Sequence, residues 1–302
     1  MNVYDNVPYS TSSLPKRPPL TWPDGRKVAV CIVVSAEYYE MQPPAGSFVP
    51  PNLPGGFGRA PYPDVRAFSQ REYGNRVGIF RVMEALDRHA IKATVALDAS
   101  FASRYPNLVA EFRRRNWEIA AHGFSLTRVI SNHLSEDEER DHIRDVLDII
   151  EKASGVRPAG WHGPEYGESE RTVALLGEFG LAYVLDWPND EQPYPMRASE
   201  RSIISLPMAL ELDDVVANYH RRIPMARWVR AVQEAVDQLV ADSSTSGRHL
   251  VLNLHPWLIG QPHRIAYLEE VLAALSARDD LWIAMAREVV TCYRAQMSEL
   301  TD

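Results

Sequence analysis

The chain has 302 residues, 45% hydrophobic and 24% charged, with a formal net charge of −8 at pH 7. That length is enough to bury a substantial core, and the acidic balance argues against a nucleic-acid or anionic-membrane surface. No apolar run approaches the roughly 18–20 residues needed to cross a bilayer.

Residues 1–22 are polar and rich in proline and serine, and read as an extended N-terminal arm; residues 23–302 read as one domain. The start lacks the basic, apolar and small-residue sections of a signal peptide. The two cysteines, Cys31 and Cys292, read as core thiols, so a cytoplasmic protein without a disulfide framework is expected. The first strand is "KVAVCIVVS", Lys27 to Ser35, a continuous apolar run of the kind buried on both faces. Met41 to Pro63 is dense in proline and glycine, too irregular for a helix or strand, and is expected to be a lid or a contact in a homo-oligomer.

Helices and strands then alternate. A helix at Arg76–His89 leads to a strand at Ala93–Leu97, and a helix at Phe101–Arg115 leads to a strand at Glu118–Ala121. A long helix at Glu136–Ser154 starts at a capping box, Ser135 with Glu138. Another at Ser169–Phe179 stops at Gly180 and leads to Ala182–Asp186, followed by a weaker strand at Ile203–Leu206. A helix at Met225–Asp242 precedes "HLVLNL", a helix at Ile265–Ala277 precedes "LWIAM", and a last helix starts near Ala286. Seven or eight short strands alternating with helices, with no break in composition, predict a single α/β domain built as a (β/α) barrel, complete or distorted. A doubly wound sheet is the runner-up, but no GxGxxG follows the first strand.

In such a barrel, functional groups project from the C-terminal ends of the strands. Those ends carry Ser35, Glu37, Asp98, His122, Trp161, His162, Glu165, Asp186, Trp187, Asp190, His255, His263 and Arg264. His122 and His255 stand out, each set directly after a buried strand and followed by Gly or Pro. The motifs "SAEYYE", "AAHGFS", "GWHGPEYGES", "LDWPNDEQPY" and "LHPWLIGQPHR" together resemble the successive motifs of the polysaccharide deacetylase superfamily. "EYGNRVGIFRVMEALDRHAIKATVALDA" is similar to its branch of metal-independent, allantoinase-like enzymes and cyclic imide hydrolases.

The resemblance implies a distorted (β/α)7 barrel and hydrolysis of a non-peptide C–N bond. The superfamily's common pattern opens with two aspartates and places histidines at i and i+4 on one metal. Here Ser35 and Glu37 stand near the first, and Leu126 occupies the i+4 position from His122. A divalent metal needs about three protein ligands and an open position. The expected cofactor is therefore none, or one divalent metal such as zinc on Glu37, His122 and either His162 or Asp98. His133 and His142 read as solvated.

Amide hydrolysis needs a base for water, donors for the oxyanion and an acid for the leaving nitrogen. Glu37 is the expected base, and His122 orients water or binds metal. His255 resembles the family histidine that protonates the leaving group or steadies the oxyanion, and Asp190 completes the expected catalytic set. His162, Trp161, Trp187 and Trp257 are expected to line a flat, ring-shaped substrate. Arg264 would bind a substrate carboxylate or brace Asp186, Asp190 or Glu37. The expected partner is a small molecule, with neither nucleic acid nor membrane. A cyclic amide, imide or ureide hydrolase leads; a metal-dependent N-deacetylase of an acetylated amino sugar or amine, and a non-catalytic ligand-binding barrel, are the alternatives.

Overall fold

The computed structural model describes residues 8–49, 61–198 and 202–299. Part of the arm (1–7) and of the Pro/Gly segment (50–60) lies outside them. Among the described residues the sheet has nine strands: β1 (Val28–Ala36), β2 (Thr94–Leu97), β3 (Glu118–Ala121), β4 (Gly160–Trp161), β5 (Tyr183–Val184), β6 (Tyr194–Arg197), β7 (Ser202–Ser205), β8 (Arg248–Leu254) and β9 (Leu281–Ile283). They run in the order β6-β7-β5-β4-β3-β2-β1-β8, parallel except for the β6–β7 pair. β9 pairs with Val28–Val30 of β1, below the stretch Val33–Ala36 that pairs with β2.

Among the described residues no ladder joins β8 to the β6–β7 edge, so this is a curled, incompletely closed barrel, the distorted (β/α)7 form that the resemblance implies. Two irregular segments fill the seam against β8, through Ala209 N to Val251 O at 3.0 Å and His249 N to Glu191 O at 3.0 Å. The arm packs where that seam lies: Leu20 and Trp22 are buried, and Trp22 Nε1 donates to Arg248 O at 2.7 Å.

The helices are α1 (Val65–Tyr73), α2 (Ile79–Arg88), α3 (Ala99–Arg104), α4 (Pro106–Arg114), α5 (Glu136–Ser154), α6 (Thr172–Glu178), α7 (Met225–Asp242), α8 (Pro256–Ile259), α9 (Ile265–Ser276) and α10 (Ala286–Glu299). The Ser135–Glu138 capping box forms as predicted, and Gly155 ends α5 in the left-handed region at φ 72°. The helix expected from Arg76 begins earlier, at Val65, and passes through a π-helical turn at Gly74–Gly78. The one expected over Phe101–Arg115 is two, because Pro106 cannot continue the backbone bonding and Tyr105 leaves the helical region. β6 was not predicted; its Pro195 lies in an edge strand, where proline is tolerated.

Strand periodicity sorts the core into two bodies. Val28, Val30, Ile32, Val34, Leu250, Leu252 and Leu254 pack with the helices. Ala29, Cys31, Val33, Ala96, Ala120, Tyr183, Leu185, Ile204 and Val251 pack together as a second cluster, inside the barrel. Alternation carries that interior face one step past the strand ends, to Glu37, Asp98, His122, His162 and His255. No helix among the described residues is long and apolar enough to cross a membrane.

Candidate active site

Glu37 Oε1 lies 3.2 Å from His122 Nε2 and 3.5 Å from His255 Nε2. All three residues are buried, Glu37 at 7% and His255 at 8% exposure. Each imidazole is fixed through its other nitrogen. His122 Nδ1 donates to the carbonyl of His162 at 2.7 Å, and that acceptor defines its tautomer on this side. His255 Nδ1 bonds Asp214 Oδ1 at 2.6 Å, and the same carboxylate accepts the His255 backbone N–H at 3.0 and 3.1 Å. His162 stacks on His122 with ring centroids 4.6 Å apart, and its Nδ1 bonds Asp186 Oδ1 at 2.7 Å. Asp186 also accepts the Gly163 N–H at 2.8 Å.

Beneath this lies a buried polar chain. Ser35 Oγ donates to Asn253 Oδ1 at 2.9 Å, and Asn253 Nδ2 donates to Asp213 Oδ2 at 2.9 Å. Tyr166 Oη donates to the same Asp213 oxygen at 3.0 Å, while its ring meets His162 edge-on. Ser35 thus serves as a hydrogen-bond donor in the floor. Asp98 holds Tyr38 N–H and caps α3 at Phe101 N–H, which fixes the backbone just after Glu37.

The electrostatics separate an acid from a base. Burial alone would raise the Glu37 carboxyl, but His255 and then His122 outweigh it and hold it well below the ordinary range. Burial alone would lower His255, but Asp213, Glu37 and Asp214 together hold it well above 6.5. Burial pushes Asp214 up to about 6, against the opposing pull of His255. Near neutrality the site therefore pairs a carboxylate at Glu37 with an imidazolium at His255. Burial keeps His162 neutral, well below its ordinary value.

The α8 turn carrying His255 is held by close backbone approach. A Cβ on Gly78 would stand 2.1 Å from Pro256 O, one on Gly74 2.6 Å from Trp257 N, and one on Gly260 2.5 Å from Gly78 Cα. Gly260 itself has an ordinary φ of −74°, so its smallness serves this contact and not a tight turn.

Several expected residues go elsewhere. Asp190 is not in the site: it forms a two-point ion pair with Arg17 of the arm at 2.6 and 2.7 Å. The chain after β5 descends along the seam, and the neighbouring Glu191 meets His249, at the opposite end of β8 from His255. Trp161 is fully buried in the helix-facing core, because alternation puts it on the opposite face from His162. Trp187 meets Tyr9 of the arm edge-on at 5.8 Å and donates to Glu168 at 3.1 Å. Trp257 does stand beside the site, under the Arg71 guanidinium at 4.1 Å. Arg264 forms none of the expected braces to Asp186, Asp190 or Glu37 among the described residues; Asp214 is the charge that acts on it. His142 is not a solvated histidine, since burial pushes it down to about 4.

Sequence reasoning missed Asp213 and Asp214. They follow no strand; they sit in the segment that fills the seam, just before a π-helical turn at Val215–His220. The available signal was two adjacent acids inside the apolar stretch "MALELDDVVA", which require a buried cationic or donor partner.

Among the described residues, Asp213, Asp214 and His255 are the one His, Cys, Asp or Glu group whose ligand atoms all lie within 4.8 Å of one another. There the His255 Nδ1 is already engaged with Asp214. Among the described residues the set Glu37, His122 and His162 does not bring three ligand atoms within that distance, nor does the alternative with Asp98. Neither place is a preformed cage of three free ligand atoms for a divalent ion.

Residues 72–184 match the family model described as polysaccharide deacetylase. That stretch contains His122 and His162, while Glu37, Asp214 and His255 lie outside it. A Schizosaccharomyces pombe protein whose name places it among the polysaccharide deacetylases is 22% identical, over 91% of this chain and 92% of its own. The crystal structure of a probable polysaccharide deacetylase from Pseudomonas aeruginosa PAO1 superposes with a TM-score of 0.81 at 24% identity, over 92% of this chain and 95% of that one. The crystal structure of PuuE allantoinase superposes with a TM-score of 0.79 at 22% identity, over 93% and 95%. At these identities the structural likeness speaks to the fold.

Proposed function

We propose, from the match of residues 72–184 to the polysaccharide deacetylase model and from the geometry of the site, that this chain hydrolyses a non-peptide C–N bond in a small cyclic amide, imide or ureide. One observation carries the reading: the Glu37 carboxylate lies between two imidazoles whose outer nitrogens are fixed, with His255 in its acid form. Glu37 takes a proton from water, beside His122 Nε2, and the water oxygen bonds to the ring carbonyl carbon. His255 donates its proton to the leaving nitrogen as the ring C–N bond breaks. Water is consumed, and the product is an open-chain acid with its new amine or amide still tethered. The low exposure of Glu37 and His255 favours a small substrate over a polymer strand.

The name of the matching family model favours a second reading, metal-dependent N-deacetylation. Turnover of hydantoin, succinimide and dihydrouracil, with and without chelator, tests both. Chelator-resistant ring opening supports the first. Release of acetate from an N-acetyl amino sugar, lost with chelator and restored by zinc, would replace it.

A further inference from the structure

The helix that runs from α1 into α2 has one polar side chain among its buried residues, Asn75, in the π-helical turn at Gly74–Gly78. A buried amide persists where its hydrogen bonds are met. Asn75 Nδ2 donates to Glu37 O at 3.1 Å and to Glu72 Oε1 at 3.2 Å. The same Glu72 oxygen accepts the Tyr105 hydroxyl, which burial and then Glu72 keep protonated, above its ordinary range.

Glu37 stands one residue past the end of β1, where the sheet no longer holds the backbone. On either side of it the chain is fixed by backbone donors: Asp98 N–H reaches Ala36 O at 3.2 Å, and Leu126 N–H reaches Tyr38 O at 3.1 Å. Between them, no backbone N–H among the described residues reaches Glu37 O, and the Asn75 amide takes that place. Asp98 accepts the N–H of the same peptide unit, from Tyr38. Side chains from two different elements thus hold the Glu37–Tyr38 peptide at both its polar ends.

The same turn touches the other half of the catalytic pair. Gly74 lies against Trp257 N and Gly78 against Pro256 O, in the two residues directly after His255. Its i→i+5 bond, from Ile79 N–H to Gly74 O, marks a π-helical turn inserted in an α-helix, a device that recurs at functional sites. One turn therefore bonds the backbone of the base and packs on the backbone of the acid, whose side chains stand 3.5 Å apart.

We propose that Asn75 is a positioning residue, through which the π-helical turn sets the spacing between Glu37 and His255. This rests on the hydrolase reading of that pair and deepens it. A shift of about 1 Å in the Glu37 backbone carries the carboxylate with it, and misplacement of that size costs about 10²-fold in rate. It also loosens the charge pairing. Against burial, His255 and then His122 hold Glu37 low, while Asp213, Glu37 and Asp214 hold His255 high. A longer Glu37–His255 spacing raises the first and lowers the second, so the pH window of activity narrows from both sides. For about 1 Å at an effective dielectric near 20, each limb moves by about half a unit to one unit.

The substrate is whichever of hydantoin, succinimide and dihydrouracil the wild type opens fastest. Its kcat and KM are measured against pH for the wild type, Asn75→Leu, Asn75→Ala and Asn75→Gln. The His255 imidazole is titrated by NMR in each protein, which reads the same spacing without turnover. Asn75→Leu keeps the size and loses the donor: kcat should fall about ten- to hundredfold with KM within about threefold. Both limbs should move inward, and the His255 pKa should fall. Asn75→Ala lacks the donor and has no bulk to clash, so it should behave alike and keeps the comparison if leucine prevents folding. Asn75→Gln keeps the amide and should retain several-fold more activity than either. A loss equal at every pH with His255 unmoved would make Asn75 a purely structural residue, and wild-type kcat without the donor would leave it no role; either overturns the proposal. If the wild type opens none of the three rings, yet His255 shifts in the leucine variant and less in the glutamine variant, the hydrolase reading fails and the positioning role stands.

Discussion

Replacing Asp214 by asparagine should move the acid without removing it. The side chain keeps its shape and can still accept from His255 Nδ1, now 2.6 Å away, but it loses its charge. Two unit charges about 4 Å apart at an effective dielectric near 20 interact by about 4 kcal/mol, or about three pKa units. Asp213 and Glu37 remain, at 3.9 and 3.5 Å from His255, and the amide dipole recovers part of the loss. The expected fall in the His255 pKa is therefore about one to two units. In kcat/KM against pH on a cyclic imide, the alkaline limb reports this acid and should shift down by that amount. The rate at pH 8 should fall more than the rate at pH 6. Stability follows the same sign: a raised histidine pKa stabilises the fold fully below its unfolded value near 6.5 and loses this as pH rises through the folded value. The melting gap between wild type and variant should thus narrow at alkaline pH. An unmoved alkaline limb, or an equal loss at every pH, would refute His255 as an acid tuned by Asp214.

Glu37→Gln should lower kcat by about 10²–10⁴-fold while ligand affinity, read by calorimetry, changes far less; a wild-type rate would remove Glu37 from catalysis. Gly78→Ala puts a Cβ 2.1 Å from Pro256 O and should cost about 1–3 kcal/mol in denaturant unfolding, with kcat falling as the His255 turn shifts. Unaltered kcat would show that this contact does not position the acid. Arg17→Ala should lower the melting temperature modestly, at about 1 kcal/mol or less for a partly exposed ion pair, and leave kcat within twofold to threefold. A large kcat loss would return Asp190 to the site. Trp161→Phe should destabilise the helix-facing core without changing KM, and a KM shift would restore its expected role in the pocket.

The order of elements and most of the site were legible because both follow strand periodicity. A buried strand announces its end, and the next inward position after β1, β3 and β8 holds Glu37, His122 and His255. The same alternation, applied more strictly, would have rejected Trp161, since neighbours 161 and 162 cannot both face inward. Asp190 misled for another reason: it follows a true strand, but the barrel is open there and the chain leaves the rim. Asp213 and Asp214 escaped because the seam they fill has no strand, so no period marks them. The expected helix missed its start at Val65; Gly74 lies just before the expected start at Arg76, and both Gly74 and Gly78 serve contact with the backbone of α8.

The clasp between the arm and β6 bears on how copies of this chain behave toward one another. β6 ends the sheet and would present a row of unpaired backbone groups, the template on which a strand of another molecule adds. Tyr9 forms a bridge to Met196, and Pro8 O accepts the Arg197 N–H at 2.6 Å, so the chain's own beginning occupies that border. Trimming the arm would leave the border bare, and self-association through paired strands, seen as concentration-dependent growth in light scattering, should appear before any loss of the barrel itself.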